Sequence, residues 1–320
     1  MLKDALTLCI PTINRSVYLD RALQYYSFIN FDGKIIIGDS SDDKFKKQNK
    51  EIIKLYKNLD IEYIFAEKSK FKNDAQVLHY LGKFIKTPYV TFTGDDDFLI
   101  PSGTEKCVDF LDANNDFAAV HGMRLNFLLK DNKIVHTDTD EGYEWIKEDA
   151  FQRWLSYMRK GIATVSFIHR TDNWKKQYEL VTKIESRYIG TELIICSIAA
   201  IQGKVKRIYD LSVVFQRETP NRLFSFRKYS LWDLINTPEW SKSSKIFVEE
   251  IDRLLKEQGF DKKDEIKKEF WFHCLTILIN QFNNLGKEVV FPTEPVDLNL
   301  KESDPFYPIY KLLTIGTLDD

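Results

Sequence analysis

The feature that most constrains the fold of this chain is a regular alternation of short apolar runs and helix-like segments in its first third. Strand-like runs occur at residues 6–12, 34–40, 61–67 and 89–94, and segments with helical spacing of apolar residues separate them. The runs do not alternate between apolar and polar residues, which is typical of parallel strands covered by helices on both faces. The pattern predicts an α/β fold with a twisted, mostly parallel sheet flanked by helices.

The pattern changes after a predicted helix at residues 104–114. Residues 117–130 and 133–139 predict a β-hairpin, because the dipeptide Asp131-Asn132 between them favours a tight turn. A helix at 148–160, a strand at 163–170, a helix at 192–203 and a strand at 205–217 follow, and the chain beyond Pro220 has helical periodicity. We expect a domain at residues 1–220, with halves at 1–115 and 116–220, and a helical C-terminal region at 221–320.

Composition narrows the classes of protein that this chain can belong to. It has 320 residues, of which 43% are hydrophobic, and a formal net charge of -2 from interspersed acidic and basic residues. This balance gives no reason to expect a nucleic-acid partner. The four cysteines form no CxxC pair and lie in apolar stretches, as reduced buried thiols do. We expect a cytoplasmic protein, with contact at the inner face of the cell membrane as an open alternative.

Polar side chains follow three of the predicted strands. Pro11, Thr12 and Arg15 follow the first, Asp39 follows the second, and the fourth runs into Gly94 and three consecutive aspartates, Asp95, Asp96 and Asp97. Open α/β sheets bind ligands beyond the C-terminal ends of their strands, so we expect these residues to converge at one edge.

Three adjacent carboxylates raise one another's pKa unless they share a cation. Oxygen ligands without nearby histidine or cysteine favour Mg²⁺ or Mn²⁺, which complete their coordination with water and substrate phosphates. The sequence therefore suggests a site for a metal and a phosphate ester, and Arg15 is a candidate for a second positive contact. The alternative is an ordinary solvated turn. No GxxxxGK[ST] or GxGxxG loop is present, which argues against P-loop and Rossmann chemistry.

Three stretches together resemble the family 2 glycosyltransferases of the GT-A fold: LTLCIPTINR (6–15), IIIGDSSDD (35–43) and YVTFTGDDDFLIPSG (89–103). Residues 189–208 are a looser match. The resemblance implies that residues 1–115 bind a nucleoside-diphosphate sugar, with a UDP-sugar favoured, and that residues 116–220 bind the acceptor. It also implies a metal-dependent, inverting hexosyltransferase-type enzyme that acts on a glycan or lipid-linked hydroxyl in capsule- or lipopolysaccharide-type synthesis.

The same resemblance implies roles for individual residues. The candidates for donor binding are Pro11, Thr12, Arg15, Asp39, Asp95, Asp96 and Arg217. Asp97 is the favoured metal ligand, with Asp95 as the second. Gly94 departs from the family, which often has its first aspartate at this position. Glu192 stands where the family has its catalytic base; the alternative is that Glu192 only complements a helix dipole. Arg217 is equally compatible with an ordinary surface position.

Other functions stay open at this point. A nucleotidyltransferase that makes a nucleotide sugar, or a non-catalytic nucleotide-binding module, would share such a sheet. The aromatic segments at residues 222–235 and 269–279 suit a lipid-linked acceptor, a peripheral membrane contact or a homo-oligomer interface, although such segments more often pack a helix onto the main domain.

Overall fold

Four parallel strands in the first third of the chain form one half of the central sheet. The computed structural model describes residues 2–140, 142–160, 166–217, 230–283, 294–316 and 318. The strands are β1 (Leu6–Thr12), β2 (Lys34–Asp39), β3 (Ile61–Phe65) and β4 (Tyr89–Phe92), in the order β3-β2-β1-β4. The connecting helices are α1 (Ser16–Phe28), α2 (Asp43–Leu55) and α3 (Asp74–Leu81). The predicted succession of strands and helices is confirmed here.

The next part of the chain extends the same sheet. Its elements are β5 (Phe98–Leu99), α4 (Pro101–Ala113), β6 (Phe117–Lys130), β7 (Lys133–Asp140), α5 (Ala150–Lys160), β8 (Ile168–Arg170), α6 (Thr171–Glu179), α7 (Ile194–Gln202) and β9 (Lys204–Arg217). The strand order is β3-β2-β1-β4-β8-β6-β9-β5, with β7 also beside β6. The β6–β9 pair is parallel, and β7, β8 and β5 join the sheet in antiparallel pairs.

The β6–β7 hairpin has the tight turn that its sequence predicts. Asp131 and Asn132 have φ angles of 49° and 57°, and a two-residue type I′ turn requires positive φ at both positions. The strand predicted at 163–170 is shorter, because β8 begins at Ile168 and residues 161–165 lie outside the described residues. Helix α6, which follows β8 directly, was not predicted.

Hydrophobic side chains of the sheet are buried on both faces, which explains the lack of alternation in the strand sequences. In β1, Cys9 belongs to a core cluster that includes residues of α3, α5, α6 and α7. Its neighbours Leu8 and Ile10 point the other way, into a cluster with residues of α1 and α4. In β2, Ile36 joins the first cluster in the same manner.

The described part of the C-terminal region contains four helices, as predicted, and packs against both layers; residues 222–229 of the aromatic segment 222–235 lie outside the described residues. Its helices are α8 (Leu231–Ile235), α9 (Pro238–Lys256), α10 (Lys263–Asn283) and α11 (Tyr307–Thr314). Helix α9 contacts α7 and α10 contacts α5, whereas α11 packs against α1 and β7. Within the described ranges, no helix has the length and apolar character that crossing a membrane requires.

Candidate active site

The loops that follow β1 and β2 are joined to each other at the C-terminal edge of the sheet. The Ser40 backbone N–H donates to the Thr12 carbonyl at 2.9 Å, and the Asn14 backbone N–H donates to Ser41 Oγ at 2.7 Å. Asn14 has φ of 56°, in the left-handed region that asparagine tolerates better than most residues. Pro11 lies opposite Gly38 in the parallel register of β1 and β2. The ends of β1 and β2 and the loops that follow them therefore form one continuous surface, a wall along this edge of the sheet.

The three aspartates form a tight turn at the same edge, between β4 and β5. The Asp97 amide donates to the Gly94 carbonyl at 3.3 Å, which closes the turn. All three aspartates are buried, with exposed fractions of 3%, 4% and 5%. An ordinary solvated turn would leave such carboxylates exposed, because burying a charge without a partner is costly. The burial therefore requires compensating partners.

Arg15 and Thr12, from the loop and strand end of β1, supply those partners. Thr12 Oγ1 donates to Asp95 Oδ2 at 2.6 Å, and Arg15 Nη2 donates to Asp96 Oδ2 at 2.8 Å. Arg15 Nη1 also lies 3.3 Å from Asp95 Oδ1. The guanidinium group thus bridges two carboxylates. In this structure, the positive charge that adjacent carboxylates share is therefore that of Arg15.

Burial and charge act against each other in this cluster. Burial raises the pKa of Asp95 to about 7, although Arg15 and the Thr12 hydroxyl favour its ionised form and Asp96 opposes it. For Arg15, burial acts to lower the pKa, but Asp95 and Asp96 outweigh it, so the pKa rises. Arg15 therefore stays charged, while Asp95 changes its charge near neutral pH.

Arg21 and Gln216 complete the cluster. Arg21 Nη2 donates to Gln216 Oε1 at 2.5 Å and to the Asp96 carbonyl at 3.4 Å. The Gln216 backbone N–H donates to Asp97 Oδ1 at 3.0 Å. Arg21 also lies over the ring of Phe98, with 5.4 Å to the centroid. These contacts attach the end of β9 to the aspartate turn. Sequence analysis missed Arg21, because its position on α1 carries no motif.

The aspartate turn has oxygens suited to a hard cation. A methyl group on Gly94 would lie 2.7 Å from Asp96 Oδ1 and 3.0 Å from Asp97 Oδ2, so these oxygens converge on the glycine. Over the described residues, no group of three or more histidine, cysteine or acidic side chains is arranged to hold a metal. Because Mg²⁺ usually binds one or two carboxylates and takes its other ligands from water and phosphate, two converging carboxylates fit it.

Asp39 is held by three donors from three different elements. Its Oδ1 accepts from the Ser41 amide at 2.8 Å, and its Oδ2 accepts from Asn49 Nδ2 at 2.8 Å and from Tyr63 Oη at 2.7 Å. Its exposed fraction is 0%. The carboxylate therefore fixes the loop after β2 against α2 and β3, and it presents no surface to solvent.

Glu192 lies in a π-helical turn, Ile189–Leu193, that leads into α7. The helical stretch begins at residue 187, so Glu192 stands beyond its first turn, where the dipole effect has largely faded. Tyr157 and Tyr188 are close to it: burial raises the pKa of both phenols, and the Glu192 charge adds to the rise. Tyr188 Oη is hydrogen-bonded to His273 Nε2 of α10 at 2.5 Å. π-Helical turns are frequent at functional sites.

The contact that the structure describes for Arg217 lies outside the aspartate cluster. Its Nη2 lies 3.0 Å from Asp138 Oδ1 of β7, and half of its side chain is exposed. The neighbouring Gln216, rather than Arg217, contacts the aspartate turn. Of the predicted site residues, the structure brings together Thr12, Arg15 and the three aspartates, with Pro11 and Asp39 in the adjoining strand ends, and it leaves Arg217 beside Asp138.

Solved structures with a similar fold include two of S. aureus TarS. One matches with a TM-score of 0.56 and 13% identity, covering 89% of this chain and 46% of that chain. The other, TarS 1-349 in complex with UDP-GlcNAc, has the same TM-score and identity and covers 89% and 76%. This chain thus spans about half the length of the longer TarS chain. The comparison confirms the expected GT-A-like fold: a curled, mostly parallel sheet flanked by helices.

Comparison with curated proteins gives no match. A family model described as Glycosyl transferase family 2 matches residues 7–170, which is just over half of the chain. The matched region contains both strand-end loops and the aspartate turn. The chain therefore belongs to glycosyl transferase family 2.

Proposed function

We propose that this protein is a metal-dependent, inverting glycosyltransferase that moves a sugar from a nucleoside-diphosphate sugar to a hydroxyl group of a glycan or lipid-linked acceptor. The observation that carries the proposal is the cluster of Thr12, Arg15 and the three aspartates in a chain of this family. Buried carboxylates and guanidinium groups at the C-terminal edge of an α/β sheet suit a ligand that carries a diphosphate.

The donor would lie along the wall formed by the loops after β1 and β2. A UDP-sugar is the favoured donor, since a similar fold binds UDP-GlcNAc in S. aureus TarS. In this proposal Pro11, Thr12 and Asp39 serve the nucleoside part of the donor. Asp39 would act by fixing its loop, because its carboxylate is enclosed. Arg15, Asp95 and Asp96 are on the diphosphate side, and Arg217 would join them by exchanging Asp138 for a phosphate oxygen.

Asp97 and Asp96 would hold Mn²⁺ or Mg²⁺, because their oxygens converge on Gly94. Asp95 is the other candidate ligand beside Asp97, and its oxygens face Thr12 and Arg15. A cation bound there would offset the negative charge that develops on the departing diphosphate. Arg15 stays charged beside it and would add a second positive contact to a phosphate oxygen.

Glu192 is the proposed base that takes the proton of the acceptor hydroxyl. Proton transfer by a positioned carboxylate contributes about 10²–10⁴-fold to rate. The hydrogen bond between Tyr188 and His273 fixes the helical turn that carries Glu192, so the C-terminal helices would support the acceptor side. We also propose that residues 1–115 form the donor-binding half of the enzyme, that residues 116–220 form the acceptor-binding half, and that residues 221–320 form a helical region.

The cellular setting is also part of the proposal. Capsule- or lipopolysaccharide-type synthesis supplies lipid-linked acceptors at the inner face of a cell membrane, and a cytoplasmic enzyme there would keep its thiols reduced. All four cysteines are buried thiols, which suits that setting.

Thermal unfolding against UDP, GDP, CDP and dTDP, each with and without Mn²⁺, tests donor binding. A ligand at a hundredfold excess over its Kd stabilises the folded state by about 2.7 kcal/mol. We expect one nucleotide to raise Tm in a metal-dependent manner, and we expect Asp97→Ala to remove the shift. Asp264→Ala, an exposed aspartate of α10, is the matched control that should keep it. No shift with any nucleotide would refute the proposal.

Turnover separates the transferase from its alternatives. With water or an added glycan as the acceptor of the sugar, release of the nucleoside diphosphate from the matching nucleotide sugar should occur in the native chain and fall sharply in Glu192→Gln, while the Tm shift persists. Binding without turnover in the native chain would indicate a nucleotide-binding module. Release of pyrophosphate from a nucleoside triphosphate and a sugar phosphate would instead indicate a nucleotidyltransferase.

A further inference from the structure

Helix α10 is apolar on two opposite faces. One face is buried against the rest of the protein through Ile266, Phe270, His273 and Cys274. The other face carries five large apolar side chains with exposed fractions of 47–57%, which we call the α10 stripe: Trp271, Phe272, Leu275, Ile279 and Phe282. At 100° per residue these five positions fall within about 100° of the helix circumference, so they form one continuous surface.

Exposed apolar residues scattered singly are normal, whereas a continuous stripe of this size marks an interaction surface. The α10 stripe contains two phenylalanines and one tryptophan, and aromatic residues are enriched in the cores of interfaces. Helix α8 lies beside α10, where the Leu231 amide donates to Gln281 Oε1 at 2.8 Å. Trp232 of α8 is 56% exposed and enlarges the apolar area of this part of the surface.

The charge pattern around the stripe favours a protein partner over a lipid surface. From Phe270 to Asn283 the helix contains no aspartate, glutamate, lysine or arginine. Helices that lie on membranes usually have lysine and arginine along their polar face. Apart from the buried His273, the polar residues over the length of the stripe are threonine, asparagine and glutamine. Charged side chains adjoin the stripe at its N-terminal end, where Lys245, Glu249, Lys263 and Lys267 line a pocket with Trp271, but they are of both signs and do not continue along α10 beyond Phe270.

We propose that the α10 stripe is the interface of a homodimer, in which α10 packs antiparallel against α10 of a second copy. An uncharged surface placed against itself buries no unpaired charge and brings no like charges together. A two-fold axis uses the same patch on both copies and closes after one contact.

The area is sufficient for such a dimer. A large aromatic or aliphatic side chain has about 200 Å² of surface, so five side chains at half exposure offer about 500 Å² on each copy. Burial of both stripes would remove about 1,000 Å² from water, which is at the lower limit for a specific interface. The expected dimer is therefore weak, with dissociation at about 1–100 μM protein.

Light scattering and sedimentation of the full chain over a concentration series test this proposal. We expect the mass to rise from 37.7 kDa toward twice that value as the concentration increases. Leu275→Glu, in the middle of the stripe, should raise the dissociation constant at least ~10-fold. Leu55→Glu is the matched control, because Leu55 is 72% exposed on α2, outside the stripe. Unchanged thermal unfolding of the dilute variant would show that it folds.

A mixing experiment makes the test specific for self-association. Leu275→Glu and Leu275→Lys should each be monomeric, and an equimolar mixture should recover dimers because opposite charges then face each other across the interface. A native chain that stays at 37.7 kDa at ~200 μM would overturn the proposal. Binding of the monomer to phosphatidylglycerol vesicles, lost in Leu275→Glu, would overturn it in favour of a membrane contact.

Discussion

The buried carboxyl group of Asp95 is expected to make folding stability depend on pH in a specific direction. Burial raises its pKa from 3.8 to about 7. The folded chain therefore holds this proton more tightly than the unfolded chain does. The stabilisation is fully present below pH 3.8 and is lost as the pH rises through about 7. Most paired aspartates show the opposite dependence, because their pKa is lowered on folding.

The size of the effect follows from the interval between the two pKa values. At 1.36 kcal/mol per pH unit, the interval from 3.8 to about 7 corresponds to about 4 kcal/mol. Integration between pH 5 and pH 8 gives a loss of about 2.5 kcal/mol from this group alone. No reduction for solvent screening applies, because the Asp95 side chain is only 4% exposed.

Urea unfolding of the chelator-treated protein at pH 5, 6, 7 and 8 measures this loss. The comparison is between the native chain and Asp95→Asn, whose side chain does not titrate. Subtraction is needed because burial lowers the pKa of His121 and His273, and these groups make stability rise with pH. We expect the stability of Asp95→Asn relative to the native chain to increase by about 2.5 kcal/mol from pH 5 to pH 8.

Asp43→Asn is the control, since Asp43 is an exposed aspartate of α2. Its stability relative to the native chain should stay constant over the same range. If the difference between the native chain and Asp95→Asn changed by less than ~0.5 kcal/mol, Asp95 would be ionised throughout. Arg15 and Thr12 would then offset the burial completely, and the reasoning would be refuted.

Three further predictions concern other residues of the candidate site. Arg21→Gln breaks the link to Gln216, and we expect a loss of about 1.5–3 kcal/mol in urea unfolding. Arg21→Lys should recover only part of it, because lysine lacks the planar fork. In Gly94→Ala the new methyl group would meet two carboxylate oxygens at 2.7 Å and 3.0 Å, so the nucleotide-dependent rise in Tm should disappear; a full rise would contradict the metal assignment. Tyr63→Phe removes a hydrogen bond from Asp39 and should cost about 1 kcal/mol in urea unfolding; an unchanged value would show that the bond is dispensable.

The donor half of the fold could be predicted from the sequence for a physical reason. Strands covered on both faces must be apolar throughout, and the ends of parallel strands must meet at one edge. These two constraints are enough to place Thr12, Arg15 and the aspartates at one edge of the sheet. The fold and the family are confirmed, whereas the roles of the site residues stay predictions.

The parts that could not be predicted depend on contacts between distant segments. Arg21 meets Gln216 across 195 residues, and no local pattern specifies such a pair. The two-residue strand β5 exists only because β9 lies beside it. The sequence pattern of α10 shows helical spacing, but it does not tell which of two apolar faces is buried.

The arginines also bear on when a metal ion would bind. Counted formally, three carboxylates and two guanidinium groups give the cluster a charge of only -1, and a proton on Asp95 brings it to zero, so the turn attracts a free divalent cation weakly. A diphosphate brings further negative charge and oxygen ligands to the same place. Arg15 then has a phosphate oxygen as an alternative to the oxygens of Asp95 and Asp96. We therefore expect metal and nucleotide to bind cooperatively: Mn²⁺ alone should leave Tm unchanged at concentrations that give a full shift with the nucleotide. A full shift with Mn²⁺ alone would mean that the carboxylates form a metal site in spite of Arg15.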